Sequence, residues 1–580
     1  MAREPLYRHV GYHLFKADIL RQNRPTTGKI LVFVVPLATM LRITEIKLPI
    51  GHTPDELTKT ICRQLGISAD DLLATHIVRR GHDARKRPLI QFVYTVDIEV
   101  RHEQPLLRAG KHLRVQLAPD TSYHFVARFN RAPAIRPVIV GFGPAGMFAG
   151  LLLAQMGLRP LILERGKAVR ERTQDTWDLW RRHHLHPESN VQFGEGGAGT
   201  FSDGKLYSQI KDPKHYGRKV IDELIKAGAL PEIAYVSKPH IGTFRLVGIV
   251  ERIRHTIEQL GGEICFQQRV TDIVREEEKL RAIVVNGNET ITCTHAILAI
   301  GHSARDTFAM LHDRGVFMEA KPFSLGVRIE HPQGLINACR LGDAAGHTEL
   351  GAADYRLVHH ASNGRTVYSF CMCPGGTVVA AASEAGGVVT NGMSQYSRNE
   401  RNANSALVIN VQPETDYPDG PLAGIAFQRH WEQRAFVLGG SDYSAPAQRV
   451  EDFLAARPSH HMGDVLPSYQ PGVTPCDLSD TLPDFAVVAL REALPVFDQQ
   501  LRGFALPDAV LTGVETRTSS PVRLRRHEDS LQSINTAGCY PAGEGAGYAG
   551  GILSAAIDGI RVAEAIALDL AQHSNAHSSA

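Results

Sequence analysis

The sequence predicts an α/β chain in which a Rossmann-like nucleotide-binding domain is interrupted by an inserted α+β substrate domain and preceded by a small α+β domain. Three observations carry this. The apolar run from Val138 to Val140 breaks into Gly141-Phe142-Gly143-Pro144-Ala145-Gly146, and a helical stretch and a second strand ending in Glu164 follow. Nucleotide-fold chemistry returns from Ala537 onward. Between Ile43 and Val100 the residues read as strand, helix and two further strands, the pattern of a compact α+β unit.

Composition narrows the function class. The 580 residues suffice for two or three domains with large cores. Lys and Arg number 63 against 61 Asp and Glu, so global charge argues for neither a nucleic-acid nor a membrane partner. Eight cysteines, Cys62, Cys265, Cys293, Cys339, Cys371, Cys373, Cys476 and Cys539, are too scattered for a disulfide scaffold and include no CxxC pair, which fits a reducing compartment. The cluster His183-His184-Leu185-His186 sits among arginines and reads as a solvated helix end, so no metal is expected. The stretch from Ile30 to Val35, with Pro36-Leu37-Ala38 after it, is too short to cross a bilayer, and no small-residue cleavage site follows. Residues 1–39 read as an N-terminal extension, or as an upstream start the cell does not use, and the protein reads as cytoplasmic.

The elements follow in order. In residues 40–130, strand Ile43 to Leu48, helix Asp55 to Leu65 and strands His76 to Arg79 and Leu89 to Val100 enclose a basic turn, Arg79 to Arg87. That turn is either a solvated hairpin tip or a grip for nucleic-acid phosphates, although it lacks interleaved aromatics. Ala132 to Pro137 is a stiff linker. Residues 131–320 hold the first part of the nucleotide-binding domain, with the helix expected over Met147 to Met156 and stopped at Gly157. Strand patterns over Gly262 to Val270 and Arg281 to Leu298 surround the hairpin signal Asn286-Gly287-Asn288. Residues 321–508 are the inserted domain, 509–570 the returning part with an Ala-rich helix to about Leu568, and 571–580 a polar tail. A single βαβ fingerprint argues against a second, NAD(P)H-binding Rossmann domain.

Three glycine segments carry the chemistry. In the first, Gly141 permits the tight turn, Gly143 admits a diphosphate to the backbone, Gly146 allows helix-on-strand packing, and Glu164 stands where a carboxylate binds ribose hydroxyls. The second, Asn190 to Lys205, is too glycine-rich for a core element and must approach something closely. In the third, Tyr540 to Ile552, Glu544 can reach a ribityl hydroxyl ahead of a helix whose N–H groups face a flavin pyrimidine.

On the strings VIVGFGPAGMFAG, NVQFGEGGAGTFSDGKL, AIGHSARDTF, YSFCMCPGG, NGMS, GVETRTSSPVR and YPAGEGAGYAGGI, the chain from about Met40 resembles the bacterial FAD-dependent dehydrogenases of uncharacterised function, within the two-dinucleotide-motif, glutathione-reductase-2-like flavoproteins. The resemblance implies non-covalent FAD. It places Gly141, Gly143, Pro144, Ala145, Gly146, Glu164 and Arg165 at the ADP half, Val270 at the adenine and Gly301 at the end of the strand after it. It further places Gly196, Gly197, Gly199 and Thr200 near the diphosphate and ring, and Gly543, Glu544, Gly545, Gly547, Gly551 and Ile552 at the ribityl and pyrimidine end. Glu544 departs from the Asp that many such flavoproteins carry.

At the reaction end Cys371 and Cys373 are either thiols that exchange electrons with a flavin or a substrate disulfide, or small buried loop residues. Lys205 beside Asp203 either moves a proton or anchors a loop. Arg517, with Thr518, Ser519, Ser520 and Arg523, either meets an anionic substrate or the reduced flavin, or forms structural salt bridges. The reading is an FAD oxidoreductase acting on a small molecule, with NAD(P)H at most a transient visitor. A tRNA-modifying flavoprotein and a non-catalytic FAD redox sensor with a partner-recruiting N-terminal domain are the alternatives.

Overall fold

The computed structural model describes residues 40–85, 89–208 and 210–578, so the expected extension 1–39 lies outside the described residues, as do Lys86 and Arg87 of the basic turn. The first unit is a four-stranded antiparallel sheet in the order Leu72–Asp83, Gln91–Val100, Leu41–Pro49 and Val115–Leu117. Along Gln91–Val100 buried and half-buried residues alternate without a break, and Phe92, Tyr94, Val96 and Ile98 share a core with Leu57, Ile61 and Leu65 of helix Pro54–Leu65. A capping box fixes where that helix begins: the Thr53 side chain accepts from the Glu56 N–H, and the Glu56 carboxylate accepts from the Thr53 N–H. The strand expected to end at Arg79 runs on to Asp83, because Arg79 and Arg80 pair in register with Thr95 and Tyr94.

A five-stranded sheet follows, parallel throughout, in the order Cys539–Pro541, Ala296–Leu298, Val138–Val140, Leu161–Glu164 and Glu263–Phe266. Its first strand in the chain lies in the middle, so the connections wind outward to both sides, and the crevice beyond the strand ends at that switch is where such sheets bind ligands. Helix Pro144–Gln155 starts three residues before the expected Met147, since proline is well tolerated in a first helical turn. Helix Ile552–Ser578 crosses it at Gly559, where an added Cβ would stand 2.1 Å from the Ala145 carbonyl oxygen. That helix does not stop near Leu568 but runs on to Ser578, through most of the expected polar tail. No Gly or Pro follows Gly559 to break it before Ser578.

The two stretches expected to form one hairpin are dispersed. Glu263–Phe266 and Ala296–Leu298 join the parallel sheet, and the turn at Asn286-Gly287 links Lys279–Val285 to Glu289–Thr292 in a separate three-stranded antiparallel sheet with Val270–Glu276. Both turn residues take positive φ, 51° and 80°, as the central positions of a type I′ turn require, and the Asn288 N–H closes the turn on the Val285 carbonyl.

The inserted sheet has seven strands, in the order Val358–His360, Thr366–Cys373, Asn402–Val411, Phe323–Pro332, Val510–Glu515, Ala445–Arg449 and Val473–Pro475. Its central strands Phe323–Pro332 and Asn402–Val411 are buried along nearly their whole length. Strand Val510–Glu515 belongs here and extends the sheet past the expected limit at 508, because its apolar run pairs with Phe323–Pro332. The short pair Met318–Ala320 and Val522–Leu524 forms the neck to the nucleotide-binding part.

Two glycine substitutions separate close packing from open space. A Cβ at Gly146 would meet the Gly141 carbonyl oxygen at 2.0 Å, whereas one at Gly334 would meet nothing within 4 Å. Gly146→Ala is expected to destabilise the protein by about 1–3 kcal/mol. Gly334→Ala, in helix Gln333–Leu341, should be neutral or stabilising by about 0.5–1 kcal/mol. Denaturant unfolding of the two variants beside the parent checks both signs.

Candidate functional site

A cavity of about 1320 Å³ opens at the carboxyl ends of the parallel strands, larger than the roughly 300–1,000 Å³ of common small-molecule sites. All three glycine segments reach it. Gly141, Gly143, Pro144 and Ala145 line it from the first, Gly197 and Gly199 from the second, and Gly543, Glu544, Gly551 and Ile552 from the third. Glu164, Arg165, Val270 and Gly301 complete that half, and the inserted sheet closes the other with Tyr368, Phe370, Cys371 and Met372.

Local conformation explains the glycines. Gly141 sits at φ 101°, and a Cβ there would lie 2.4 Å from the Ala299 carbonyl oxygen. At Gly143 the nearest atom to an added Cβ is the Gly197 Cα at 3.6 Å, so a methyl fits the protein and would intrude only on a ligand. No side chain caps helix Pro144–Gln155, which leaves its positive end facing the cavity. Five expected cofactor contacts stand behind the lining. Gly146 packs helix on turn, Gly196 makes room for the buried Thr200 hydroxyl (2.2 Å from an added Cβ), Gly545 lies against the Gly301 backbone, and Gly547 lies against the Arg523 side chain.

Charged side chains hold these backbones apart. The buried Glu164 carboxylate accepts from the N–H groups of Phe142 (2.8 Å), Gly166 (2.8 Å) and Gly194 (2.9 Å). A carboxylate offers about four acceptor positions, so one is left for the cavity side. Arg172, fully buried, donates to the carbonyls of Asn190, Val191 and Glu195, each at 2.7 Å, and burial pulls its guanidinium down to about 10. Asp558 accepts from the Gly543 N–H at 2.8 Å and from Arg526, which stacks on Tyr548. Arg165 is drawn to the rim by Glu188 (2.9 Å) and Asp306 (2.8 Å) and lies over the Phe193 ring.

At the other end Cys371 lines the cavity and Cys373 is fully buried, its Sγ 3.3 Å from the Cys371 carbonyl oxygen. A hydrogen bond from Cys373 holds the Cys371 thiol well below its ordinary value against burial, helped by Lys205 and Arg328, and Cys373 is pushed up in return. Burial works against the Lys205 ammonium, yet the two thiols and Asp203 raise its pKa, so it keeps its proton. It also donates to the Met372 carbonyl and lies 3.4 Å from Asp203, which pairs with Arg398. Burial pushes the Glu544 carboxyl up to about 7, with Lys321 opposing, and drives His302 down to about 3. His302, Tyr368, Glu515 and the fully buried Arg328 behind Cys371 escaped the sequence reading; only the quoted strings around His302, Tyr368 and Glu515 marked their neighbourhood.

Arg517 lines the cavity but is bound to the protein itself. Its Nε and Nη2 donate to Glu432 at 3.1 and 2.9 Å, and its Nη1 donates to Ser303 and Ser383. Glu432 is shared with Arg305 (2.7 Å) and is held far below the ordinary carboxylate range, since both guanidiniums outweigh burial. The salt-bridge alternative is therefore the one seen, and a cation committed to a buried acid has little left for an anionic substrate. In the basic turn, Arg80 lies over the rings of Phe92 and Tyr235, and Arg85 pairs with Asp83 at 2.7 Å. His184 and His186 converge on Asp178 near the end of helix Val169–Arg182.

Residues 322–518 match the family described as FAD-dependent protein, C-terminal domain-like, and residues 40–99 match a domain family of unknown function. A protein of Clostridium beijerinckii, described as uncharacterized, is 50% identical over 527 residues, covering 91% of this chain and 98% of its own. This chain belongs to the family of that protein. Among solved structures, CtdE in complex with FAD is 12% identical over 75% of this chain and 84% of its own, with a TM-score of 0.31. Glycine oxidase from Bacillus cereus is 12% identical over 74% and 94%, with a TM-score of 0.30. Within the family, the span matched by the FAD-dependent model begins one residue before Phe323–Pro332 and ends just beyond Val510–Glu515, so it takes in the whole inserted sheet.

Two outcomes follow from the buried charges. Glu432→Ala leaves Arg305 and Arg517 without their shared acid and should cost about 3–5 kcal/mol in denaturant unfolding. Glu544 has a folded pKa of about 7, above its unfolded value of about 4.3. A raised carboxyl binds more protons when folded, so its contribution is full below the unfolded value and is lost as pH rises through about 7. Glu544→Gln should therefore gain stability relative to the parent between pH 5 and 8, on the order of 1 kcal/mol or more, in unfolding curves measured across that range.

Proposed function

We propose that this protein is an oxidoreductase that holds FAD non-covalently in the cavity and acts on a small molecule admitted beside the inserted sheet. The carrying observation is the convergence of three backbone-lined glycine segments on one cavity, with an uncapped helix end at one side and the inserted sheet at the other. The family match over residues 322–518 supports the cofactor. FAD, when bound, supplies two-electron exchange with a substrate.

The chain's own residues do the remaining work. Gly143 and the first turn of Pro144–Gln155 receive the diphosphate, and the remaining acceptor position of Glu164 faces a ribose. Glu544, neutral in part at pH 7, can donate as well as accept a hydrogen bond at the ribityl chain, so the longer acid in place of Asp is no obstacle. Lys205 holds its proton at the reaction end, beside Cys371. NAD(P)H draws no support from the fold, and the RNA-modifying reading gains none from a turn whose Arg80 and Arg85 are engaged within the chain.

Purified protein should be yellow and release FAD on denaturation. Gly143→Asp should fold, because the site has room for a β-carbon, yet weaken FAD binding at least tenfold, about 1.4 kcal/mol, as read by flavin fluorescence after ultrafiltration. Colourless protein that does not retain added FAD would overturn the reading. Anaerobic titration with NADH, NADPH and thiols separates enzyme from sensor: a flavin that no donor reduces would favour the sensor.

A further inference from the structure

We propose that Cys371 and Cys373 form a dithiol/disulfide couple that exchanges two electrons with the flavin, with Cys371 presenting the sulfur that faces it. The inference rests on the FAD reading above and adds the group through which electrons leave or enter the flavin on the protein side.

The backbone is shaped for this. In strand Thr366–Cys373 the pairing with Asn402–Val411 slips between Phe370 and Cys373, so that Cys371 and Met372 together oppose Ser405 alone. Cys371 takes φ +45°, in the left-handed region that side chains with a β-carbon seldom adopt. The bulge is pinned from two directions. Lys205, from the second glycine segment, donates to the Met372 carbonyl, and Arg328, from the central strand Phe323–Pro332, donates to the Cys371 carbonyl at 3.1 Å. Cys371 is thereby displayed to the cavity with Cys373 directly behind it.

Geometry and charge suit the bond. Residues two apart lie at most about 7 Å apart between Cα atoms when fully extended, and a left-handed bulge residue brings them nearer than that, toward the roughly 4.4–6.8 Å range of disulfides. The Cys373 thiol already donates to the Cys371 carbonyl at 3.3 Å, and Lys205 and Arg328 favour the thiolate of Cys371. All eight cysteines are free in this structure. In the forward step the Cys371 thiolate and the Cys373 thiol give up two electrons as the S–S bond forms. The Cys373 proton and the electron pair pass to the oxidised flavin, giving its reduced anion. Charge and atoms balance, and the reverse step opens the disulfide.

The test uses the full-length FAD-loaded protein. After reduction with a dithiol and anaerobic desalting, denaturation with an alkylating agent and peptide mass spectrometry should find both cysteines of the 371–373 peptide modified. Oxidation with diamide should remove both modifications together and leave the peptide lighter by two hydrogens. In the visible spectrum, the reduced pair beside oxidised flavin should add a long-wavelength absorbance band. Cys371→Ser should abolish that band completely, while Cys373→Ser, whose hydroxyl can donate the same hydrogen bond, should keep it. Yellow protein whose 371–373 cysteines are alkylated at every oxidant level, or whose spectrum is unchanged in Cys371→Ser, overturns the couple and leaves the FAD reading intact. Colourless protein overturns both, since the pair then has no flavin to exchange with.

Discussion

A cavity walled by backbone has to be held open by something other than the side chains that would fill it, and here that task falls first to the carboxylate of Glu164. Its three hydrogen bonds join the turn after the first strand, the turn after the second and the second glycine segment, through the N–H groups of Phe142, Gly166 and Gly194. Arg172 does the complementary work from below, satisfying three carbonyls of the same segment where no strand or helix is available to do so. Buried backbone groups must find partners, and a loop dense in glycine supplies none of its own. Each of these charged side chains therefore fixes several backbone groups at once while occupying none of the ligand's space.

A second set of buried charges couples the inserted sheet to this frame. Arg305 follows the strand Ala296–Leu298, Glu432 lies on helix Ala423–Gly439 and Arg517 follows the strand Val510–Glu515, so the triad joins the two parts of the molecule at the cavity wall. Burying three charges costs more than an apolar contact of the same size would, and such groups are seldom a net source of stability. What they add is position: a guanidinium that must meet one carboxylate from a fixed direction tolerates less sliding than an oily surface. Arg328 plays the same part within the sheet, binding Glu515, Asn404 and the Cys371 carbonyl from one fully buried guanidinium.

This division explains what could be read from the residues alone. Gly141 and Gly146 were legible because each answers a local demand, a positive φ or a close approach, and the strand, helix and acid that frame them follow within thirty residues. The hairpin turn at Asn286-Gly287 was legible, but its partners were not, because strand pairing is settled by which other strands compete. Glu263–Phe266 found a better edge on the parallel sheet. Arg172, Glu432 and Arg328 gave no sign of their roles, since an arginine that staples a loop and one on a solvated face look alike in sequence. Arg517 shows the converse: its place among hydroxyls left a ligand and a salt bridge equally open, and the acid with which it pairs lies 85 residues away. The inserted sheet's last strand was misplaced for the same reason, as its partner Phe323–Pro332 is nearly two hundred residues upstream.

Cys371 marks where the two frames meet. A non-glycine residue in the left-handed region costs on the order of 1 kcal/mol and persists only where its surroundings over-determine it. Here they do so from both sides, because the ammonium that fixes the bulge belongs to the glycine segment of the nucleotide-binding part and the guanidinium belongs to the inserted sheet. If the bulge served only to end a strand, one such tether would suffice, and a glycine would remove the strain altogether. The chain instead keeps a β-carbon and a sulfur at that point, and both parts of the molecule share in holding them there. Strain at a position lining the cavity, maintained by two cations from different domains, is what a fold provides when one side chain must be presented and not merely packed.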